Sequence, residues 1–148
     1  MTTSEMSPEE VVYAFLDAYN AKDFDGAMAL LADDFVTVGA STNWDPIQKA
    51  SYRDKLTCAA FAFPDSRWTT ANMVVSGDTV AVRVIWTGTF MRPLAWRGQT
   101  RQPTGRSYRE QTVLFFRIDE NGQIREHNHY EYWDFLREHS GARSAAAA

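Results

Sequence analysis

Ser107-Tyr-Arg-Glu-Gln-Thr-Val-Leu-Phe-Phe-Arg-Ile118, Asp119-Glu-Asn-Gly122 and Gln123-Ile-Arg-Glu-His-Asn-His-Tyr-Glu-Tyr-Trp133 form the stretch on which the fold turns. Two runs rich in β-branched and aromatic residues flank an Asn-Gly step, the strongest short-range signal for a β-hairpin. A tight turn pairing Ile118 with Gln123 sets Leu114 opposite His127, Thr112 opposite His129 and Glu110 opposite Glu131. Alternation from Ile124 places Arg125, His127, His129, Glu131 and Trp133 on one face. Two carboxylates and two of the chain's three histidines then share one corner of one sheet face. Such a corner is either a solvated surface or a site.

Working outward, Gly77-Asp78 marks a second tight hairpin between Arg67–Val75 and Thr79–Phe90. Between the two hairpins lies Met91–Arg106, rich in Arg, Gly and Pro with Trp96 in its middle. A connection that long between neighbouring strands reads as a lid or a mobile segment, and its arginines equally as a solvated basic edge. Upstream the pattern changes to helical. Ser7-Pro8-Glu9-Glu10 combines an N-cap, Pro at the first helical position and a capping-box Glu, and Val12, Phe15, Leu16 and Tyr19 follow at helical spacing. Asp23 caps a shorter helix with an apolar face of Phe24, Ala27, Met28 and Leu31. Phe35–Val38 reads as a short strand, and Asp45-Pro46 opens a helix through about Ala60 that ends at Phe63-Pro64-Asp65. The result is α+β: a cone-shaped barrel in which three N-terminal helices pack in the concave face of a curved, mainly antiparallel sheet. The open end of such a cone is the expected ligand site.

Composition narrows the function classes. The 148 residues suit one domain with a genuine core over 1–144, and the closing Ala145–Ala148 reads as a low-complexity cloning remnant. A net charge of −4 offers no broad basic field, so nucleic acid is not an expected partner. No apolar run is long enough to cross a membrane, and the start has no signal-peptide character. The lone Cys58 rules out an internal disulfide and fits a reducing cytosol.

The order of pieces Tyr19-Asn-Ala-Lys-Asp23, Leu31-Ala-Asp-Asp-Phe35, Phe63-Pro-Asp65, Gly77-Asp-Thr-Val-Ala-Val-Arg83, Thr87-Gly-Thr89, Pro103-Thr-Gly-Arg106 and Gly122-Gln-Ile-Arg-Glu-His127 resembles the SnoaL-like branch of the nuclear-transport-factor-2-like superfamily. The matches cover most of residues 8–141. The fold hosts several chemistries, so function rests on the site. Against the ketosteroid isomerases of this fold, the resemblance puts Phe15 where an oxyanion-binding Tyr belongs and Gly39 near the place of the general-base Asp. Against the limonene-type epoxide hydrolases, Arg83 matches the Arg of an Asp-Arg-Asp set, while Ile85 and His129 replace the two Asp. Of the acid pair in polyether-type epoxide hydrolases only Asp65 survives. SnoaL-like polyketide cyclases use an acid/base Asp on the last strand, and the resemblance places His129 there.

An imidazole titrates near neutral pH and exchanges a proton without special tuning. His129 is therefore the lead acid/base candidate, with Glu131 and Glu110 as helpers; the alternative is a hydrogen-bonded structural histidine. Tyr19, Trp44, Arg83, Thr112 and His127 are the candidate substrate-binding residues. Arg83, in an otherwise apolar strand, either pairs with Glu110 or meets a substrate oxygen. His127 and His129 form a His-X-His step that binds metal only if a third ligand arrives, so neither metal nor cofactor is expected. The implied activity is a cofactor-independent cyclase acting on a small polyketide-like substrate, by aldol-type or pericyclic closure. A non-catalytic binding or dimerisation domain, or an altered epoxide hydrolase or hydroxylase, is the alternative. Val82, Val84, Trp86, Val113 and Phe115 are the expected convex face of a homodimer.

Overall fold

The structure is a computed structural model that describes residues 5–131. Helix α1, Pro8–Asn20, starts as its sequence dictates: the Ser7 hydroxyl accepts the Glu10 N–H, and the Glu10 carboxylate accepts the Ser7 N–H at 2.9 Å. Asp23 caps α2, Phe24–Ala29, by accepting the Gly26 N–H. Leu31, expected on the apolar face of α2, instead opens strand β1, Leu31–Gly39. A 3₁₀ turn at Ala40–Thr42 follows, and then the two-residue strand β2, Ile47–Gln48.

Helix α3 runs from Lys49 to Ala62, three residues later than the Asp45-Pro46 signal predicts. The residue before a proline is pushed toward extended backbone. Here the chain stays extended past Pro46, and Ile47 pairs with Thr37 across the sheet. Strands β3, Arg67–Ser76, and β4, Thr79–Thr89, form the expected hairpin, with Gly77 at φ 59 in its turn. The predicted loop 91–106 contains a small hairpin of its own, β5 Leu94–Trp96 and β6 Gln99–Arg101. Its turn residues Arg97 and Gly98 have φ of 51 and 76, the left-handed pair that a two-residue hairpin requires. Strands β7, Ser107–Ile118, and β8, Ile124–Glu131, complete the chain of elements.

The main sheet has the order β2-β1-β8-β7-β4-β3 and is antiparallel except where β1 lies parallel to β8. All three helices share one core with its inner face: Val12, Phe15 and Leu16 of α1 and Tyr52 and Leu56 of α3 pack with Val80, Val82, Val84, Leu114 and Phe116 of the strands.

The defining hairpin forms two residues out of the expected register: Thr112 faces Glu131, Leu114 faces His129 and Phe116 faces His127. The cause is local. Asp119 accepts the N–H groups of Asn121 and Gln123 at 2.9 and 3.0 Å, and its own N–H donates to the Gln123 carbonyl, which widens the turn. A bulge then inserts Arg125 between Ile124 and Glu126. Arg125 consequently leaves the inner face and pairs with Asp34 at 3.2 Å. A two-residue slip preserves side-chain parity, so His127 and His129 remain on the inner face. Trp133 lies outside the described residues.

Candidate active site

The inner face of β8 carries His127 and His129 into the core, 1% and 3% exposed. Their rings lie 4.2 Å apart at 36°. Around them stand aromatics from each layer. Phe116 of β7 stacks on His127 at 4.1 Å, and Phe15 of α1 meets it edge-on at 5.4 Å. Tyr52 of α3 contacts both imidazoles edge-on and shares a 3.1 Å hydrogen bond with His127 Nδ1. Trp68 of β3 faces His129 at 6.4 Å. Burial first, then the neighbouring His129 and Lys55, hold the His127 pKa well below its ordinary value of 6.5. A positive charge on either imidazole at this separation disfavours one on the other.

The other candidates divide between the faces. Thr112 and Glu110 are buried on the inner face of β7. Thr112 is diagonal to His129, since its direct partner is Glu131. The slipped register separates Glu110 from Glu131; across β4 its partner is Trp86. Tyr19 is buried in α1, where burial raises its pKa and keeps it a phenol. Its hydroxyl lies 3.3 Å from Ser66 Oγ and accepts the Trp86 indole N–H at 3.4 Å. Lys22 closes that cluster by donating to the Ser66 carbonyl at 2.6 Å and to Oγ at 2.9 Å, which ties the end of α1 to the start of β3.

Two expectations need correction. Arg83 is exposed on the outer face and donates to Gln111 at 3.1 Å, so it makes no pair with Glu110. Alternation explains this: Val80, Val82, Val84 and Trp86 point inward, which turns Arg83 out. Trp44 lines no interior. It is 52% exposed and packs at 5.9 Å on Tyr130, an outer-face residue of β8. Asp65 is an exposed acceptor for Thr89, bonded to its N–H at 2.7 Å and its hydroxyl at 2.8 Å.

Tyr52 is the residue that sequence reasoning passed over. Its four-residue spacing to Leu56 on α3 was a signal for inward placement, but nothing local linked it to a histidine far along the chain. A cleft of about 580 Å³ lies between α3 and the β5–β6 hairpin, lined among others by Asp54, Cys58, Trp96 and Arg97; another of about 450 Å³ lies beside Lys49 and Arg53. Neither is lined by the histidine pair. Among the described residues no group of three or more His, Cys, Asp and Glu side chains is placed to hold a metal ion. No helix among them is long and apolar enough to cross a membrane.

Known structures share this architecture. AclR, a candidate hydroxylase from Streptomyces galilaeus, is 21% identical with a TM-score of 0.74, over 91% of this chain and 96% of its own. IdmH, a candidate polyketide cyclase from Streptomyces antibioticus, is 25% identical with a TM-score of 0.71, over 88% and 94%. A candidate polyketide cyclase from Pseudomonas putida is 22% identical with a TM-score of 0.68, over 86% and 92%. No curated protein matches the chain. The model of the SnoaL-like domain matches residues 12–127, from the first helix to the first of the paired histidines, and the chain therefore belongs to the SnoaL-like family.

Proposed function

We propose that this protein is a cofactor-independent cyclase of polyketide-derived natural-product biosynthesis, of the kind that serves antibiotic pathways. It folds an apolar, polyoxygenated or polyene chain and closes a carbon–carbon ring within it. The observation that carries the reading is the buried His127–His129 pair, 4.2 Å apart on the inner face of the strand where the family's cyclases keep their acid/base group. Holding the two reacting carbons together supplies most of the rate, an effect worth roughly 7–11 kcal/mol in well-oriented intramolecular reactions. In an aldol-type closure His129 takes the proton from the nucleophilic carbon. It returns that proton to the oxygen that becomes an alkoxide when the new bond forms. In this reading Thr112, Tyr19 and His127 contact the substrate, with Glu131 and Glu110 as acid/base helpers.

The test is His129→Ala on a poly-β-keto thioester mimic, following ring formation against the uncatalysed background. An acid/base role costs two to four powers of ten, ~10²–10⁴. Full turnover in the variant points instead to a pericyclic closure by templating. One observation favours a second reading. Tyr52, Trp68 and Phe15 crowd the histidines closely, as in a binding module that holds a small molecule without converting it. Binding of the mimic with no product, in wild type and variant alike, identifies that case. Cys58 is a free thiol, which suits a cytosolic location. The outer-face aromatics Phe115, Tyr130 and Trp44 suit a homodimer.

A further inference from the structure

A ring closure through a carbonyl develops charge on oxygen, and the inner face of β8 carries a group suited to receive it. The His127 imidazole is clamped by Phe116 on its face and Phe15 at its edge, so its two nitrogens keep distinct directions. Nδ1 is 3.1 Å from the Tyr52 hydroxyl. Nε2 is buried and has no hydrogen-bond partner among the described residues. A neutral imidazole carries one N–H and one lone pair, and the bond made by one nitrogen decides the state of the other. A phenol is the stronger donor and an imidazole nitrogen the stronger acceptor of the two groups. The favoured arrangement therefore has Tyr52 donating to Nδ1, with the ring proton on Nε2.

We propose that Tyr52 holds His127 as the neutral Nε2–H tautomer, and that this buried N–H is the donor for a carbonyl or enolate oxygen of the substrate. The proposal rests on the cyclase reading for its substrate class. It gives the paired histidines separate tasks. His129 moves the proton, and His127 keeps its own while stabilising the oxygen to which the C=O electron pair shifts. Such donors act most strongly where water is excluded and their orientation is set beforehand. Tyr52 does not touch the substrate in this scheme and is a positioning residue. Among the described residues the ionisable groups that face His127 are Tyr52 and Lys55 from α3 and His129 from its own strand; α1 and β7 present Phe15 and Phe116. Lys55 and His129 both oppose a positive charge on the ring. Because Nε2 is closed off from solvent, its acceptor must arrive within the cone.

Two-bond ¹H–¹⁵N spectra of the full ¹⁵N-labelled chain read the tautomer directly, with His127→Gln and His129→Gln assigning the signals. The expected result is an Nε2–H His127 that stays neutral as the pH is lowered through the ordinary imidazole value of about 6.5. In Tyr52→Phe the signal is expected to lose that single tautomer. If this variant fails to fold, the wild-type spectrum still decides. Acetylacetone, a minimal enolisable diketone, serves as the probe of the donor. The His127 Hε2 resonance is expected to move downfield as the diketone is added and to be absent in His127→Gln. An Nδ1–H tautomer, or an imidazolium at neutral pH, overturns the assignment to Tyr52. A correct tautomer whose Hε2 is unmoved by acetylacetone up to tens of millimolar overturns the donor role. Neither readout needs turnover, so a failed cyclisation assay and a failed tautomer are separate outcomes.

Discussion

An imidazole buried as deeply as that of His127 gains by staying neutral, and this makes His127 a source of pH-dependent stability. Burial foremost, then His129 and Lys55, depress its pKa well below 6.5. As pH falls through about 6.5 the unfolded chain takes up a proton at this residue and the folded chain does not. The unfolded state then binds more protons, so the stability held above that pH is lost on acidification until the depressed folded pKa is reached. Thermal melts from about pH 7 to about pH 5 should therefore fall more steeply in wild type than in His127→Gln, although the variant starts lower. Parallel slopes would remove His127 from the acid response. At this scale the sequence is readable where period-two alternation governs, which is why both histidines are found on the inner face. It is unreadable where backbone conformation intervenes. Asn43 and Trp44 both take left-handed conformations, φ 55 and 62, in the loop that carries the Trp44 indole onto the outer face against Tyr130. No residue preference anticipates a tryptophan there. Arg83 misleads for a different reason: its strand is apolar at so many positions that alternation alone does not show which set is inward.

Elements succeed or fail by the range of the interaction that defines them. The Ser7 cap, the Asp23 cap and the Gly77 turn are satisfied by residues within three positions, and each forms as its local chemistry requires. The parallel pairing of β1 with β8 joins segments about 90 residues apart in sequence and has no local signature. That pairing, together with β2 on the far edge of β1, converts a four-stranded meander into a six-stranded mixed sheet. Two tests belong here. Gly88 of β4 lets the end of α3 approach the sheet: an added Cβ would lie 2.8 Å from the Trp86 ring and 3.3 Å from Phe63 Cβ. Gly88→Ala should cost ~1–3 kcal/mol by overpacking, read as a lower urea midpoint at unchanged slope; an unchanged midpoint shows that this contact yields freely. The β5–β6 hairpin is held at its tip by Arg97, which donates to the Thr42 carbonyl at 3.1 Å and lies 3.7 Å from the Asp45 carboxylate. Arg97→Gly removes this latch and suits the positive φ. Amide exchange across 94–101 should quicken while β3 and β4 keep their protection. Equal exchange in both proteins would mean the latch contributes nothing to hairpin order.

At the scale of the whole molecule, the outer sheet face decides whether the chain acts alone. The convex face expected from sequence mixes two sides, since Val82, Val84 and Trp86 belong to the core. The true outer face carries Phe115, Tyr130 and Trp44 as a continuous aromatic row: Phe115 meets Tyr130 at 5.5 Å and Tyr130 meets Trp44 at 5.9 Å. Each is at least 41% exposed. The Arg117–Glu126 pair, 3.2 Å apart, lies further along the same two strands. An apolar centre with charges toward its edge is the composition of a protein interface, and three contiguous exposed aromatics are unusual on a monomer. The second copy proposed above would cover this row. A charge in its middle should then be costly to association and nearly neutral for the fold, because Phe115 points away from the core. Wild type is expected to scatter light as a dimer at micromolar concentration, and Phe115→Glu as a monomer with its circular dichroism intact. Tyr130→Glu should act in the same direction but not additively, since the two rings touch. A monomeric wild type rejects the dimer outright. A Phe115→Glu protein that still dimerises moves the interface off this face, and one that unfolds would show that the aromatic row stabilises the sheet itself.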